Sequence, residues 1–236
     1  MKSMNKGKFI VFEGIDGSGK STQAKLLLRN LKKAGFKTAF IHFPQYGTKA
    51  GGLVEEYLSG KYGKASEVSP YQASIFYSCD RFDASFQIRK WLKQGRVVVS
   101  DRYIGSNVGH QGGKIKDKKE RKKYLQWLYN LEYNIFNIPK PDLTFILKVP
   151  ANIGKSLSQK VAKTLRRATK ATYLGKKIDI HERDIDHLTN TERSYLQWIE
   201  EFPKDFQVIE CFQNQKLLSA EKISQKIWGI TKKNLK

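Results

Sequence analysis

Cysteine is nearly missing from this chain of 236 residues, where only Cys79 and Cys211 occur. Two thiols so far apart make neither a disulfide framework nor a zinc-ligand pair, and both are expected as core thiols. His42 and His181 have no second histidine at ligand spacing, so they are read as ordinary strand and loop residues without a metal role. No apolar run approaches the length that spans a bilayer. The basic start Met1–Lys6 is followed by an apolar stretch too short for a secretory leader, so a cytoplasmic protein without a membrane partner is expected. Acidic residues are scarce, 22 against 44 lysines and arginines, a net charge of +22. Such an excess suits an anionic partner, whether nucleotides, nucleic acid or the other molecules of a cell with basic proteins. There is no aromatic-rich basic repeat and no helix-turn-helix signal, so nucleic acid is not the expected partner. Repeats, low-complexity tracts and linkers are absent too, and the length fits a single domain over residues 1–236.

What the chain does have is concentrated near its start. Phe9–Phe12 is a short apolar run with β-branched members, the pattern of a buried parallel strand. Gly14-x-x-x-x-Gly19-Lys20-Ser21 follows and fills every position of the P-loop pattern. Glycines belong there because the backbone must bend tightly and bring N–H groups against phosphate oxygens. Gly14, Gly17, Ser18, Gly19, Lys20, Ser21 and Thr22 are therefore the expected ATP-binding residues. Lys20 is expected to reach the β- and γ-phosphates, and the Ser21 hydroxyl to sit on Mg²⁺. The helix that opens here adds its positive N-terminal end to the anion site.

Downstream, strands and helices alternate. Ala24, Leu27, Leu28 and Leu31 predict an amphipathic helix that Gly35 ends. Lys37–Phe43 reads as a second strand stopped by Pro44, and a short helix is expected at about Leu53–Leu58. Ser69-Pro70 is an N-cap with proline at the first helical position, opening a long helix towards Gln94. Val97–Ser100 is a buried strand. Lys114–Lys123 reads as a charge run, a solvated loop or helix start, followed by a helix over Tyr124–Phe136 and a breaker at Pro139–Asp142. Leu143–Val149 and Phe206–Cys211 are further strands, and Ser219–Thr231 a last helix. Apolar strands alternating with helices predict a three-layer α/β domain with helices on both faces of a parallel sheet.

Asp101-Arg102-Tyr103, directly after the third strand, completes a series that resembles the thymidylate kinase family. The series comprises the P-loop, Phe43-Pro44, Tyr77-x-x-x-Arg81, Asp101-Arg-Tyr with Ser106-Asn107, Pro141-Asp-Leu143, and Glu182 behind a basic stretch. The resemblance implies a P-loop kinase fold with a five-stranded parallel sheet, transfer of the ATP γ-phosphoryl group to dTMP with Mg²⁺, and a homodimer. Asp16, Phe43-Pro44 and Asp101-Arg102 all lie at strand ends, where open parallel sheets bind ligands. The family pattern gives Arg102 the acceptor phosphate, gripped by a planar fork, and Asp16 the sugar 3′-hydroxyl. Asp101 would organise Mg²⁺ through water or orient Arg102. Tyr77 matches the position that stacks on the base, Arg81 would donate to a base carbonyl, and Asn107 would read the polar edge of the ring. Glu182 matches a glutamate near the acceptor and Mg²⁺.

From Ala151 to Lys177 every charge is positive, which marks the expected lid at about residues 151–177. The P-loop carries Gly17-Ser18 and no arginine, and in this the chain resembles the family type that carries the arginine assisting transfer in the lid, which implies Arg166 or Arg167 for that role. Two departures bear on the acceptor. Gln45 and Tyr46 stand where the family often has an arginine, and His110 stands where it usually has Tyr or Phe against the sugar 2′-carbon. The expected function is phosphorylation of dTMP to dTDP. The alternatives are a kinase with an acceptor range shifted to dUMP or ribonucleotides, and a nucleic-acid-binding P-loop ATPase.

Overall fold

In the computed structural model, which describes residues 6–165 and 185–235 apart from the side chains of 160–165 and 185, the apolar runs become the strands of one sheet. These are β1 (Lys8–Glu13), β2 (Thr38–His42), β3 (Val97–Asp101), β4 (Leu143–Lys148) and β5 (Phe206–Glu210). Their order is β2-β3-β1-β4-β5, and every neighbouring pair is parallel. The register is set by burial on both faces. Phe9, Val11, Val98 and Ile146 point into one core, and Ile10, Phe12, Val97, Val99 and Phe145 into the other. Side chains alternate along a strand, so a run apolar at every position feeds two cores at once.

Helices α1 (Lys20–Lys33) and α8 (Ala220–Asn234) cover the second core with Ala24, Leu27, Leu31, Ile223 and Ile227. The opposite face is covered by α3 (Pro70–Lys93), α4 (Ile104–His110), α5 (Lys118–Tyr129) and α7 (Ile185–Glu201). A small satellite core of Val54, Tyr57, Leu58, Val68 and Ala73 joins the short α2 (Gly52–Leu58) to the start of α3. That start is a capping box: the Gln72 N–H donates to Ser69 Oγ (3.2 Å) while the Ser69 N–H donates to Gln72 Oε1 (3.0 Å). Among the described residues, no helix is long and apolar enough to cross a membrane.

Besides α4, which no sequence pattern announced, three elements differ from the sequence expectations. The helix placed at Tyr124 begins at Lys118, inside the charge run, with the Asp117 side chain accepting from the Glu120 N–H (2.8 Å). It is no solvated segment throughout, because Arg121 is buried and donates to the Gly112 carbonyl (3.1 Å) and Gln197 Oε1 (2.8 Å). Its C-terminal half is a π-helical turn, Asn130–Ile135, rather than a continuation of α5. The third is a hairpin after β5 that no apolar pattern announces, β6 (Phe212–Gln213) with β7 (Lys216–Leu217), turned at Asn214 and Gln215 with φ of 48° and 58°. Helix α6 (Ala151–Leu165) forms the first part of the expected lid. Residues 166–184 lie outside the described residues, and with them Arg166, Arg167 and Glu182.

Candidate active site

The P-loop glycines adopt backbone conformations that side chains disfavour: Gly14, Gly17 and Gly19 have φ of 141°, 81° and 90°. The turn leads directly into α1, whose first residue is Lys20. Its buried Nζ donates to the carbonyls of Gly14 (2.9 Å) and Ile15 (2.8 Å). Burial, reinforced by Arg102, pushes the Lys20 pKa down to about 8 against the opposing pull of Asp16, Asp101 and Glu13. Anionic oxygens placed beside this ammonium would relieve that strain on its charge. Helix α6 sits on the same turn. A Cβ at Gly17 would lie 2.1 Å from the Gly154 oxygen, and one at Gly154 would lie 2.8 Å from the Asp16 oxygen.

At the end of β3, Asp101 Oδ2 accepts a short hydrogen bond from Ser21 Oγ. Its other oxygen, Oδ1, is buried without a hydrogen-bond partner among the described residues. Arg102 then adopts φ 73°, unusual for a side chain of its size. Three bonds hold it there. The Arg102 N–H donates to the Phe12 carbonyl (2.9 Å), its own carbonyl accepts from Ser100 Oγ (2.6 Å), and the next N–H, of Tyr103, donates to Glu13 Oε1 (2.6 Å). Glu13 is fully buried, and its second oxygen accepts from the hydroxyls of Tyr195 (3.2 Å) and Ser106 (3.3 Å). Burial raises the Glu13 pKa, and the cations of Arg102 and Lys20 oppose the rise.

The strained backbone aims the Arg102 side chain across the P-loop. Its guanidinium pairs with Asp16 and reaches Ser106 Oγ and His110 Nε2, each at 3.4 Å. Burial alone would raise the Asp16 pKa, but Arg102, then His110 and Lys20, hold the carboxyl well below the usual range. Desolvation works against the Arg102 charge, and Asp16 and Asp101 outweigh it.

Beside this ion pair opens a cleft of about 550 Å³. Its charged end is Asp16, Arg102, Ser106 and His110, and its aromatic wall is Phe43, Tyr46 and Tyr77. The Phe43–Pro44 peptide is cis. Tyr77 meets Tyr57 edge-on, with centroids 6.2 Å apart. Arg81 borders the cleft but is spoken for by the protein: its Nε and Nη2 donate to the buried Glu132 carboxylate and its Nη1 to the Tyr103 carbonyl (3.3 Å).

The structure thus brings together Lys20, Ser21, Asp16, Asp101, Arg102, Phe43, Tyr77, Arg81 and His110 around adjoining spaces. Asn107 lies deeper, where its Nδ2 donates to the Ser74 carbonyl (3.3 Å) and its Oδ1 has no partner among the described residues. Gln45 does not face the acceptor end, since its amide groups bind the Asp80 carboxylate of α3 at 3.0 and 3.1 Å. Sequence reasoning missed three residues. Glu13 looked like one more strand residue before the P-loop. Gln111, one turn beyond Asn107, is fully buried, and neither amide atom has a partner among the described residues. His187, on α7, places its Nε2 3.0 Å from His110 Nδ1. The i, i+4 spacing of Asn107 and Gln111 was a usable signal, whereas the pairing of histidines 77 residues apart was not.

Comparison with known proteins agrees with this geometry. Among curated proteins, the chain is 35% identical over 153 residues to the thymidylate kinase of Plasmodium falciparum, covering 65% of this chain and 67% of that one. It is 33% identical over 144 residues to human thymidylate kinase, covering 61% of this chain and 62% of the human one. With the Mycobacterium tuberculosis thymidylate kinase it shares 29% identity over 189 residues, 80% of this chain and 84% of that one. The solved structure of Candida albicans thymidylate kinase superposes with a TM-score of 0.70 at 25% identity, covering 98% of this chain and 94% of its own. Residues 12–223 match the family model described as thymidylate kinase, and with a P-loop, an Asp-Arg strand end and an aromatic cleft in register, the chain belongs to that family.

Proposed function

We propose that the chain is the kinase that transfers the γ-phosphoryl group of MgATP to the 5′-phosphate of dTMP, giving dTDP and ADP. The observation that carries the reading is the position of Arg102. It stands between the P-loop, where Lys20 waits for donor phosphates, and the aromatic cleft, where a nucleoside fits. Phosphoryl transfer asks little covalent chemistry of the protein and much positioning and charge neutralisation. Lys20 and the P-loop N–H groups hold the donor phosphates. Arg102 leaves Asp16 in part to grip the acceptor phosphate, freeing the Asp16 carboxylate to accept from the sugar 3′-hydroxyl. Tyr77 lies along the base, which is worth about 1–3 kcal/mol in comparable stacking contacts. Arg81, fixed by Glu132, presents its remaining edge to a base carbonyl, and Asn107 with Gln111 meets the ring's polar edge.

Ser21 Oγ and Asp101 Oδ1, which has no partner among the described residues, are oxygen donors beside the phosphate cradle, a set that suits Mg²⁺ directly or through its water. Held there with ATP, Mg²⁺ would supply positive charge to offset that of the donor phosphates. We assign Arg166 or Arg167 the charge that develops on the transferred group, and Glu182 a place near the acceptor, both on the resemblance of the sequence. We also assign the whole of residues 1–236 to one domain, a homodimeric state, and the cytoplasm.

The test is ADP release from MgATP with dTMP, dUMP, dCMP, UMP and CMP offered separately. Turnover is expected to be highest with dTMP, and equal or higher turnover with a ribonucleotide refutes the assignment of acceptor. A second reading, a widened acceptor range, rests on His110, a polar ring at the charged end of the cleft. The Candida albicans enzyme, whose structure is described as revealing the origin of broad substrate specificity, makes that reading worth testing. His110→Tyr is expected to lower the ribo-to-deoxyribonucleotide ratio, and an unchanged ratio removes the second reading.

A further inference from the structure

Arg102 is the first link of a chain of three side chains that leaves the acceptor cleft and ends on α7. Its Nη1 lies 3.4 Å from His110 Nε2, and His110 Nδ1 lies 3.0 Å from His187 Nε2. The two imidazoles are stacked, with centroids 5.2 Å apart and planes 17° from parallel. Donor and acceptor chemistry fixes the tautomers. A guanidinium only donates, so His110 Nε2 is the acceptor and its proton sits on Nδ1, from which it donates to His187 Nε2. Facing Arg102, the pair is therefore neutral.

A proton added to this pair can rest on either ring, but its effect at the cleft is the same. If His110 carries it, Nε2 becomes an N–H. If His187 carries it on Nε2, the shared hydrogen bond reverses, His110 Nδ1 becomes the acceptor, and the remaining His110 proton moves to Nε2. Both forms point an N–H into the cleft, opposite Arg102, where two donors and a cation repel. A phosphate dianion between them reverses the sign of that interaction.

We infer that the His110–His187 pair takes up a proton when the acceptor monophosphate binds, with His187 the positioning residue that keeps the His110 ring edge turned to Arg102. This rests on the reading of the cleft as the acceptor site. Among the described residues, the charged and titratable groups around the pair include Arg102 on the β3–α4 connection, Asp16 on the P-loop, Tyr77 and the Glu132-bound Arg81 on α3, and Asp186, next to His187 in sequence on α7. Asp16 is the carboxylate already coupled to His110, and it favours the added proton once Arg102 turns to the phosphate. The sign follows: binding that takes up a proton weakens as pH rises through the pair's bound pKa.

The experiment is dTMP binding to the whole chain by titration calorimetry in buffers of different ionisation enthalpy, with KM measured at pH 7 and 8. Both pH values keep the nucleotide phosphate largely dianionic. Wild type is expected to show net proton uptake and a KM for dTMP that rises about fivefold between them. His187→Phe, which keeps a stacking ring, and His110→Phe are expected to bind dTMP without uptake and with a flat KM, while the KM for ATP in His187→Phe stays at the wild-type value. Uptake that persists in both variants, or binding by wild type without uptake, overturns the inference. Absence of any dTMP binding by wild type overturns the functional reading, and the inference with it.

Discussion

Arg81 shows how one residue can be legible in kind and illegible in role. Its match to the family pattern with Tyr77 implies a base site, yet its guanidinium is buried against Glu132, a residue 51 positions away on a π-helical turn that no periodicity announced. Desolvation works against the Arg81 charge, and Glu132 more than restores it, lifting the pKa above its ordinary value. Removing one partner of such a pair strands the other as an uncompensated buried charge, which costs about 3–5 kcal/mol. Arg81→Met is therefore expected to lose about that much stability by urea denaturation. Arg81→Met combined with Glu132→Leu should recover most of the loss, because neither charge is then left alone. If the double variant is no more stable than the single one, the pair is not what makes Arg81 indispensable to the fold. The residue scale is also where sequence reading worked best. Lys20, Ser21, Asp101 and Arg102 come together at the carboxyl end of the sheet as expected, because the P-loop pattern and the strand end before Asp101 fix where the chain turns, while their roles are those proposed above.

At the scale of elements, local signals were faithful where one segment decides its own structure. Ser69-Pro70 opened α3, Gly35 and Gly95 followed α1 and α3 with φ of 82° and 70°, and the apolar strands paired in parallel. They failed where a partner elsewhere decides. They left the charge run open between a solvated loop and a helix start, and it is the start of α5 because Gln197 of α7 and carbonyls beyond α4 satisfy Arg121. Helix α4 escaped notice because Gly105 and Gly109 look like breakers, whereas they are places where other side chains press close. A Cβ at Gly105 would lie 2.7 Å from Glu13 Cδ, and one at Gly109 2.6 Å from Tyr195. The contact of α6 with the P-loop is of this kind. Ala151 and Gly154 are buried, and Gly154 leaves room for Ile15 and the Asp16 carbonyl. Gly154→Ala forces that seat apart and is expected to cost about 1–3 kcal/mol, as overpacked sites do. Thermal melting measures the cost, and because the seat includes Gly17, the KM for MgATP should rise while the KM for dTMP changes less. A melt and an ATP KM equal to wild type would mean that the two backbones do not bear on each other.

The whole molecule has two unlike outer faces. On the α3 side, Phe86 is 63% exposed and Ile135 65%, with Ile75 and Phe82 beside them on the same layer. Exposed aromatic surface of this kind is the usual signature of association, and it supports the homodimer. Phe86→Glu is expected to convert a dimer to a monomer in sedimentation velocity at micromolar concentration, with the fold intact by circular dichroism. A wild type that sediments as a monomer would remove the dimer from the reading. On the α1 and α8 side, Lys25, Arg29, Lys32, Lys33, Lys222, Lys226, Lys232 and Lys233 are exposed, and Glu221 is the one acid on the two helices. None of these eight forms an ion pair among the described residues, whereas Lys118, Lys122, Lys123 and Lys140 on the other side do.

If the proposed dimer pairs through α3, its lysine-rich plates face outward at opposite poles. The nucleotide clefts, which lie beyond the carboxyl ends of the strands, open along a third direction. On such a dimer, fields of one sign at both poles would keep neighbours apart at low ionic strength and would lose that effect as salt screens them. The same geometry decides how the protein would rest on a polyanionic surface: by a pole, with its clefts still open to the solution.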